Sequence, residues 1–500
     1  MSSSTSLPMY ERIAKDIENR IRRRVWMPGE RLPSEVELCQ LYQASRTTVR
    51  QALSTLAQDG LVLRRQGSGT FVSDRAGDLI HLSIVVPRGY VEEATRSLAD
   101  LYSTRNPRVH VRVQSEPFSV ALNLAHRAIC LRDSDPIDAI MVPSTFMSQA
   151  AHSGHLEPLD RYIEQFHVDL VSDFVSTRSG RSALDLVCMR TVLGHRSVYG
   201  LPYQNDVQVL YYRADLLDEL GFAVPCDMQD YLAIVQALHE RGRSYEPRLY
   251  GNAIAASSST FCVIDSWLWI LKALGGDLFV GDLEPAVDSE LAVTSLELLR
   301  ELFLLSPPGS QRFSSYDAAR AMWRGEAGLM ANWHIFANRM EAPNAPLRGK
   351  VRYSLLPGRL SQLAGWELCM TSSSPHKEET FSFLTFLTSG DSEVQDVFQR
   401  KGGDSYRVSS LSNPAYVQRD PVYAVVREAW QSGWTLGEWP EYERLAFCII
   451  QALQALLTGE VTARTAARRM VVSLAREAEF QRMRSGFMAP YVNCPEVIVD

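Results

Sequence analysis

Arg46 and Arg50 are two arginines four residues apart, a spacing that could bring two guanidinium groups to one binding surface. In a helix, residues four apart lie on one face, and with Val49 packed inward both guanidinium groups would be exposed. A guanidinium fork matches the O6 and N7 acceptors of guanine in the major groove. The hydroxyls of Thr47 and Thr48 and the free amides of a helix start suit phosphate oxygens. The pattern therefore predicts a surface that reads double-stranded DNA.

The same segment predicts the elements that would position these arginines. Apolar residues recur at helical spacing over residues 9–24, which predicts an amphipathic helix. Ser34 and Glu37 form a capping-box pattern at the start of a second helix, predicted over 35–42. After a tight turn, Ser45 can cap a third helix that carries the arginines. Two helices around a tight turn predict a helix-turn-helix.

A glycine-rich turn follows the third helix. Residues 61–66 and 70–72 predict two short strands around Gly67-Ser68-Gly69, which is a hairpin wing. Basic residues outside the recognition helix are expected to neutralise phosphates and so to strengthen binding to all DNA alike. These residues are Arg22, Arg23, Arg24, Arg64 and Arg65.

Residues 8 to 73 closely resemble the DNA-binding domain of the GntR family of bacterial transcription regulators. The matching stretches are Gly29–Glu35, Ser45–Leu53, Gly60–Val62 and Gly67–Val72. The resemblance implies that DNA is contacted by Ser45, Arg46, Thr47, Thr48 and Arg50, and that Gly67 reaches the minor groove. The family often has Arg where this chain has Val36, which puts one phosphate or base contact in doubt.

Charge is divided unevenly along the 500 residues. Residues 1–75 hold 12 Lys and Arg against 8 Asp and Glu, whereas the remainder holds 39 against 50. A basic head on an acidic body suggests that the head alone meets a polyanion. We expect a small α+β winged helix-turn-helix domain at 1–75, a linker at 76–80 and a body at 81–500.

The sequence predicts a cytoplasmic protein. The N-terminus lacks the basic and apolar regions of a signal peptide, and no later stretch approaches the ~18 apolar residues of a membrane helix. The eight cysteines are far apart, with no C-x-x-C pair and no His at zinc spacing. We therefore expect reduced thiols, no metal and no contact with a membrane.

The body alternates strands with longer helical stretches. Residues 82–87, 109–114 and 137–142 predict buried strands, the first two separated by a helix at 90–104. This alternation predicts an α/β body with a mainly parallel sheet. Ligands of such sheets bind beyond the carboxyl ends of strands, which draws attention to the segments 88–90, 116–119 and 143–146.

The body also resembles the family of extracellular solute-binding proteins that includes the maltodextrin-binding receptors. The matching stretches are Pro136–Val142, Gly154–Asp160, Tyr199–Tyr203 with Leu210–Leu217, Met322–Met330 and Leu457–Glu460. The resemblance implies a periplasmic-binding-protein-like (type II) body of two α/β lobes joined by a stranded hinge, with solute in the cleft. One lobe would contain residues 80–190 and a returning segment near 335–365.

Residues that follow the matching strands are candidates for the cleft. Eight of the nine tryptophans lie beyond residue 260, and the face of a Trp can stack on a sugar ring while carboxylates and amides take its hydroxyls. The candidate ligand-binding residues are Tyr203, Asn205, Asp206, Trp267, Trp333, Trp366 and Glu367. For each Trp the alternative is core packing, and for Asp206 and Glu367 it is a surface salt bridge.

These features predict a homodimeric, ligand-responsive regulator that binds operator DNA and senses a small molecule such as a sugar or oligosaccharide. The alternative is a DNA-binding head on an enzymatic body, either aminotransferase-like or a glycosidase. Pyridoxal phosphate needs a Schiff-base lysine, and no recognisable cofactor motif surrounds any lysine of the chain. The lysines are Lys15, Lys272, Lys350, Lys377 and Lys401. We therefore expect no cofactor and no enzymatic activity, although the residues alone leave a glycosidase carboxylate pair open.

Overall fold

The computed structural model of the chain forms two compact units. One comprises Met1–Ser83 with Ala99–Arg112, and the other comprises Ile84–Leu98 with Val113–Asp500. The predicted domain boundaries at 75 and 81 stay predictions, because the division falls within secondary-structure elements and residues 74–78 are not among those described. The structure describes residues 8–22, 25–65, 67–73, 79–117, 136–178, 180, 182–190, 196–258, 261–280, 284–436 and 442–485.

Three helices and a hairpin form the head. The helices are α1 (Met9–Arg22), α2 (Glu35–Tyr42) and α3 (Arg46–Gln58). Their apolar faces meet in one core, in which Ile17, Leu38, Val49 and Leu53 are fully buried. Gln43 ends α2 in the left-handed region, with φ 49°, which turns the chain towards α3. The predicted helix-turn-helix is therefore present.

The wing is an antiparallel pair of β1 (Val62–Arg65) and β2 (Gly69–Val72). Val62 pairs with Val72, and Arg65 pairs with Gly69. Gly67 has φ 74°, a conformation that side-chain-bearing residues rarely adopt, so the glycine turn fixes the register of the hairpin.

The strands of the body form one large sheet and two small hairpins. The large sheet has the order β4-β3-β5-β14-β8-β12-β9, and β13 also pairs with β8. Its strands are β3 (Ile80–Pro87), β4 (Val109–Glu116), β5 (Ala139–Pro143), β8 (Leu201–Arg213), β9 (Tyr250–Asn252), β12 (Ala327–Trp333), β13 (Val351–Ser354) and β14 (Leu363–Met370). The hairpins are β6 (Cys188–Arg190) with β7 (Arg196–Val198) and β10 (Phe279–Val280) with β11 (Glu284–Pro285).

Helices precede and follow these strands along the chain, as the alternating pattern predicted. Beyond the head, the helices that the structure describes are α4 (Tyr90–Arg105), α5 (Met147–His152), α6 (Asp160–Gln165), α7 (Ala214–Leu220), α8 (Met228–Arg241), α9 (Cys262–Ala273), α10 (Glu290–Leu304), α11 (Ser315–Trp323), α12 (Ala337–Met340), α13 (Lys377–Leu387), α14 (Ser392–Arg400), α15 (Val408–Leu411), α16 (Pro414–Arg419), α17 (Val422–Ser432), α18 (Tyr442–Leu457) and α19 (Ala463–Ser485).

Strand β8 connects the two lobes of the body, which we define by their strands: the first holds β3, β4 and β5, and the second holds β9, β12 and β13. The 13 residues of β8 are almost all buried. Its first half, Leu201–Val207, pairs with β14, and its second half pairs with β12 and β13. Strand β14 in turn pairs with β5 of the first lobe. The predicted two-lobed α/β architecture is confirmed. The return to the first lobe occurs at Leu363–Met370, later than the predicted 335–365, because residues 351–354 form β13 of the second lobe.

The prediction of a mainly parallel sheet is wrong. Strands β3 and β5 are parallel, as are β9 and β12, but β14 runs antiparallel to both β5 and β8, and β8 runs antiparallel to β12 and β13. The reason is topological. Strand β8 leaves the first lobe and β14 returns to it, so the two crossing strands run in opposite directions.

Three kinds of feature are absent from the described part of the chain. Every helix in the described residues is too short or too polar to span a lipid bilayer. No three side chains of His, Cys, Asp and Glu in those residues gather in an arrangement that could hold a metal ion. None of the six cysteines in that part forms a disulfide.

Candidate functional sites

The start of α3 presents the predicted DNA-contacting residues to solvent. The Ser45 side chain accepts a hydrogen bond from the backbone amide of Thr48 at 3.2 Å, which fixes the first turn. Ser45, Arg46, Thr47 and Arg50 are exposed, whereas Thr48 is half-buried. The predicted residues therefore lie together on one accessible surface.

Glu35, at the start of α2, binds three of the predicted arginines. Its carboxylate accepts hydrogen bonds from Nε of Arg46 at 3.0 Å, Nε of Arg50 at 2.9 Å and a terminal nitrogen of Arg64 at 2.9 Å. Its side chain is 18% exposed, compared with 64% for Arg46. Partial burial alone would raise the pKa of Glu35, but the hydrogen bonds from Arg46 and Arg50 outweigh it and lower the pKa.

Sequence patterns assigned no role to this carboxylate. Glu35 belongs to a matching stretch of the head, but its three partners lie 11, 15 and 29 positions further along the chain. Such a network depends on the packing of α2 against α3 and the wing, which local patterns do not report. Three guanidinium groups share one carboxylate, so the surface keeps a positive excess while its arginines are held in place.

The wing carries two further predicted DNA contacts, Arg65 and Gly67. The guanidinium of Arg65 stacks over the ring of Phe71, 4.9 Å from its centroid, and is exposed. Gly67 is exposed, with open space around it.

Val36, where the related family often has Arg, is 58% exposed. Arg23 and Arg24 lie outside the described residues, as does the side chain of Arg22.

The body contains a cavity of about 200 Å³. Aromatic rings form much of its wall: Phe146, Phe261, Tyr316, Trp333, Phe336 and Trp366. Its polar lining includes Asp206, Asp265 and Gln362, together with serine and threonine hydroxyls. Residues 143–146, at the carboxyl end of β5, also line it, as the strand-end argument predicted. The other predicted segments do not: residues 88–90, 116 and 117 are not in its lining, and 118 and 119 lie outside the described residues.

Three polar side chains reach this cavity: Asp206 from β8, Gln362 from the position before β14 and Asp265 from α9. Asp206 of β8 lies opposite Ala364 of β14. Gln362 is two residues from Ala364 and so shares its face of the sheet, which makes Gln362 a diagonal neighbour of Asp206. The Gln362 amide donates a hydrogen bond to Asp265 of α9 at 3.3 Å. Both carboxylates therefore approach the cavity from the same wall.

Asp265 has an unusual environment for a carboxyl group. It keeps some exposure because it faces the cavity, but the surrounding protein excludes much of the solvent. Burial raises the pKa of Asp265 to about 7, although the hydrogen bond from Gln362 acts in the opposite direction. The other end of that amide, Oε1 of Gln362, is buried and accepts no hydrogen bond.

Three of the seven predicted ligand-binding residues line the cavity: Asp206, Trp333 and Trp366. Tyr203 does not, because its ring packs on Phe398 with 4.6 Å between centroids and its hydroxyl shares a hydrogen bond with Thr95. It is 2% exposed. The structure places Tyr203 in the packed interior of the body.

Asn205, Trp267 and Glu367 also lie in the interior, each fully buried. The Trp430 indole donates to Asn205 at 3.2 Å, the Trp267 indole donates to Ser295 at 2.8 Å, and the Tyr406 hydroxyl donates to Glu367 at 3.0 Å. None of the three predicted residues lines the cavity. The core-packing alternative describes Trp267, whereas Glu367 forms no surface salt bridge.

A β-bulge separates the neighbours Trp366 and Glu367. The register with β8 shifts between them, from a Trp366–Gln204 pair to a Glu367–Pro202 pair. Trp366 reaches the cavity wall and Glu367 lies in the interior. Sequence reasoning missed Asp265, Gln362 and Tyr316 as cavity residues. One signal was available, because Asp265 is the only acidic residue in the apolar segment 262–273.

Family models match both parts of the chain. Residues 9–72 match the model for bacterial regulatory proteins of the gntR family. Residues 88–393 match the model for the bacterial extracellular solute-binding protein.

Curated relatives fall into the same two groups. A "Probable ABC transporter-binding protein" of Deinococcus radiodurans is 24% identical over 206 residues, covering 40% of this chain and 49% of that protein. The histidine utilization repressor of Klebsiella aerogenes is 42% identical over 74 residues, covering 15% of this chain and 31% of that protein. The chain thus spans about half the length of the first relative and about a third of the second.

Solved structures resemble the body. The maltose-bound MalE3 of T. maritima has a TM-score of 0.68 at 20% identity, covering 80% of this chain and 99% of that one. A solute-binding protein of Thermotoga lettingae bound with α-D-tagatose has a TM-score of 0.68 at 21% identity, with the same coverage. These similarities show the fold.

Proposed function

The chain belongs to the bacterial extracellular solute-binding protein family and carries a gntR-family head, and we propose on this basis that it is a ligand-responsive transcription regulator. The head would bind operator DNA and the body would sense a small solute. Such a protein would act in the cytoplasm, where the DNA is. The observation that carries the proposal is the joining in one chain of an exposed arginine surface and a two-lobed body with a cavity.

We infer that the head reads base edges with Arg46 and Arg50. Both are exposed at the start of α3, in the position from which recognition helices enter the major groove. One head covers few base pairs, so we expect a homodimer on a two-fold symmetric site, with half-sites about 34 Å apart. The Thr hydroxyls and the wing would add phosphate contacts.

The solute would bind in the cavity beside β8 and β14. Trp333 and Trp366 offer flat apolar faces and Asp206 offers an acceptor, a combination that suits a carbohydrate or polyol. The solutes named for related structures, maltose and α-D-tagatose, support the same class. The small volume favours a ligand of one or two rings over a long chain.

Solute binding would change DNA binding through closure of the lobes. A ligand that touches both lobes favours the closed shape, and the coupling is limited by its preference for that shape. We expect ~1–3 kcal/mol, or about 5- to 150-fold in operator affinity.

The test is operator affinity of the full chain with and without a sugar panel, on DNA fragments that the protein itself selects from a random pool. Replacing Arg46 with Ala should cost roughly 1–3 kcal/mol and lower the ratio of selected to random binding. Exposed Arg243, on the body, is the matched control. An unchanged ratio in the Arg46→Ala variant would refute base reading, and affinity that ignores every stabilising solute would refute sensing.

We propose no catalytic activity. The cavity carboxylates Asp206 and Asp265 resemble the pair that glycosidases need, so the alternative is tested directly. Incubation of the pure protein with oligosaccharides should release no products, and turnover would favour the enzymatic alternative.

A further inference from the structure

We propose that the solute bound in the cavity carries a protonated amine, as a small amino sugar does. This inference rests on the solute-sensing function proposed above and specifies its ligand class. It depends on the charge of the cavity wall, on the direction of its hydrogen bonds and on its aromatic lining.

The charged groups of the cavity wall are all of one sign. Asp206 and Asp265 line it, and no Lys, Arg or His is among its described lining residues. The guanidinium of Arg339 lies 5.4 Å from the ring centroid of Tyr316, but Arg339 does not itself line the cavity. A cationic ligand would therefore meet negative charge without a competing cation on the described wall.

The hydrogen-bonding groups on the wall formed by β8, β14 and α9 are mainly acceptors. Asp206 and Asp265 approach the cavity from the same side, and in its ionised form a carboxylate can only accept. Gln362 lines the same cavity, and its Oε1 is buried and accepts no hydrogen bond, in a residue that is 1% exposed. A buried acceptor of this kind needs a donor. An ammonium group supplies three donors and no acceptor, so it matches this wall.

The aromatic rings favour the same ligand. A cation over the face of Trp or Tyr is attracted by the ring electrons, and more strongly where water is excluded. Trp333 and Trp366 line the cavity that holds the two carboxylates. The Tyr316 ring lines it too but already faces the Arg339 guanidinium, so the two tryptophans are the faces that a cation would use. An amino sugar presents both an ammonium group and an apolar ring face, so one ligand can use both parts of the wall.

A neutral sugar would satisfy this wall less well. Filling the cavity removes water from Asp265, and desolvating an ionised carboxylate is costly unless the ligand supplies charge or hydrogen bonds in its place. Hydroxyl donors would offset part of that cost. An ammonium group would offset more of it, because charge-assisted hydrogen bonds are the stronger ones.

The experiment compares ligand twins that differ at one substituent. Glucosamine, N-acetylglucosamine and glucose, and the corresponding galactose series, are titrated into the full chain by calorimetry. We expect the amine to bind about tenfold to a hundredfold more tightly than its neutral twins, which is the ratio that one charge-assisted hydrogen bond provides.

Variants assign the preference to the wall. Asp265→Asn and Asp206→Asn should each reduce the ratio of amine to neutral affinity, whereas Asp218→Asn, at an exposed position on α7, should leave it unchanged. Trp333→Ala should weaken both amines and neutral sugars, and amines by the larger factor, because only the cation is attracted by the ring electrons. The Asn variants keep the size of the side chain, so we expect them to fold. Near-ultraviolet circular dichroism identifies any variant that does not.

Each outcome decides between claims. Tighter binding of the amine than of its neutral twins, together with the loss of this preference in the Asn variants, supports the inference. Equal or tighter binding of the neutral twins overturns it while leaving solute sensing intact. A full panel without any binding overturns both the amine assignment and the proposal that sugars are the sensed class.

Discussion

Replacing Asp265 with Asn should make the solute-free body more stable at neutral and alkaline pH. Asn can still accept the hydrogen bond that the Gln362 amide donates to the carboxylate. What the substitution removes is a charge that burial disfavours, since burial raises the pKa of Asp265 to about 7 from its ordinary 3.8. A residue kept for binding would thus cost stability, as is common at functional sites.

The magnitude follows from the two pKa values. Well below pH 3.8 the carboxyl is neutral in both the folded and the unfolded chain, so the charge costs nothing. As the pH rises towards 7, the unfolded chain loses its proton first and the wild-type protein loses stability. At about 1.4 kcal/mol per pKa unit, the full cost above pH 7 is at most about 4 kcal/mol, and partial exposure to the cavity makes about half of that a fair expectation.

The assay is urea unfolding of the full chain at pH 5 and pH 8, followed by tryptophan fluorescence. Trp267 and Trp269 lie in the same helix as Asp265, so their signal reports on its surroundings. Between these pH values the advantage of the Asn variant should grow by about 1.3 to 2.6 kcal/mol, the lower figure including the discount for exposure. Asp218→Asn, at an exposed position, is the control. If the difference between wild type and Asp265→Asn were the same at both pH values, the carboxyl would not titrate as described.

Three further predictions concern the DNA-binding surface and the lobes. Glu35→Gln should raise the affinity for random DNA and lower the ratio of selected to random binding, because Arg46, Arg50 and Arg64 lose the carboxylate that holds them. Competition binding measures both quantities. An unchanged ratio would show that Glu35 does not position the arginines. Arg65→Ala should lower the slope of log K for DNA binding against log salt concentration by about one, without altering sequence preference. An unaltered slope would show that Arg65 contacts no phosphate. Saturating solute should lower the radius of gyration of the wild-type chain, measured by small-angle scattering, but not that of Trp333→Ala. The operator affinity of solute-free Trp333→Ala should equal that of the wild type. A wild-type chain whose radius of gyration does not change would refute lobe closure.

The head could be predicted almost completely from its sequence because its signals are local. The Ser34–Glu37 capping box and the Ser45 cap lie within one turn of the helices they start, and the structure contains both. Gly67 marks the wing turn because its backbone conformation excludes most other residues. The Glu35 network could not be predicted in this way, because its partners are brought together by tertiary packing.

The cavity could be predicted only in part, for a related reason. Trp267 and Trp333 are equivalent as residue types, but only the second lies on a strand that ends at the cavity. Trp366 and Glu367 have different surroundings because a β-bulge lies between them. That bulge arises in the pairing with β8, whose residues lie more than 150 positions earlier in the chain. Asp265 was overlooked because its apolar helix looked like ordinary core.

The shared strand β8 also has a consequence for dissection of the molecule. Because its 13 residues pair with β14 on one side of its midpoint and with β12 and β13 on the other, a cut between residues 201 and 213 would deprive both lobes of a sheet partner. Each fragment would expose unpaired backbone groups, which promote aggregation. The lobes should therefore resist separate expression, and a protease that nicks the body elsewhere should leave them associated.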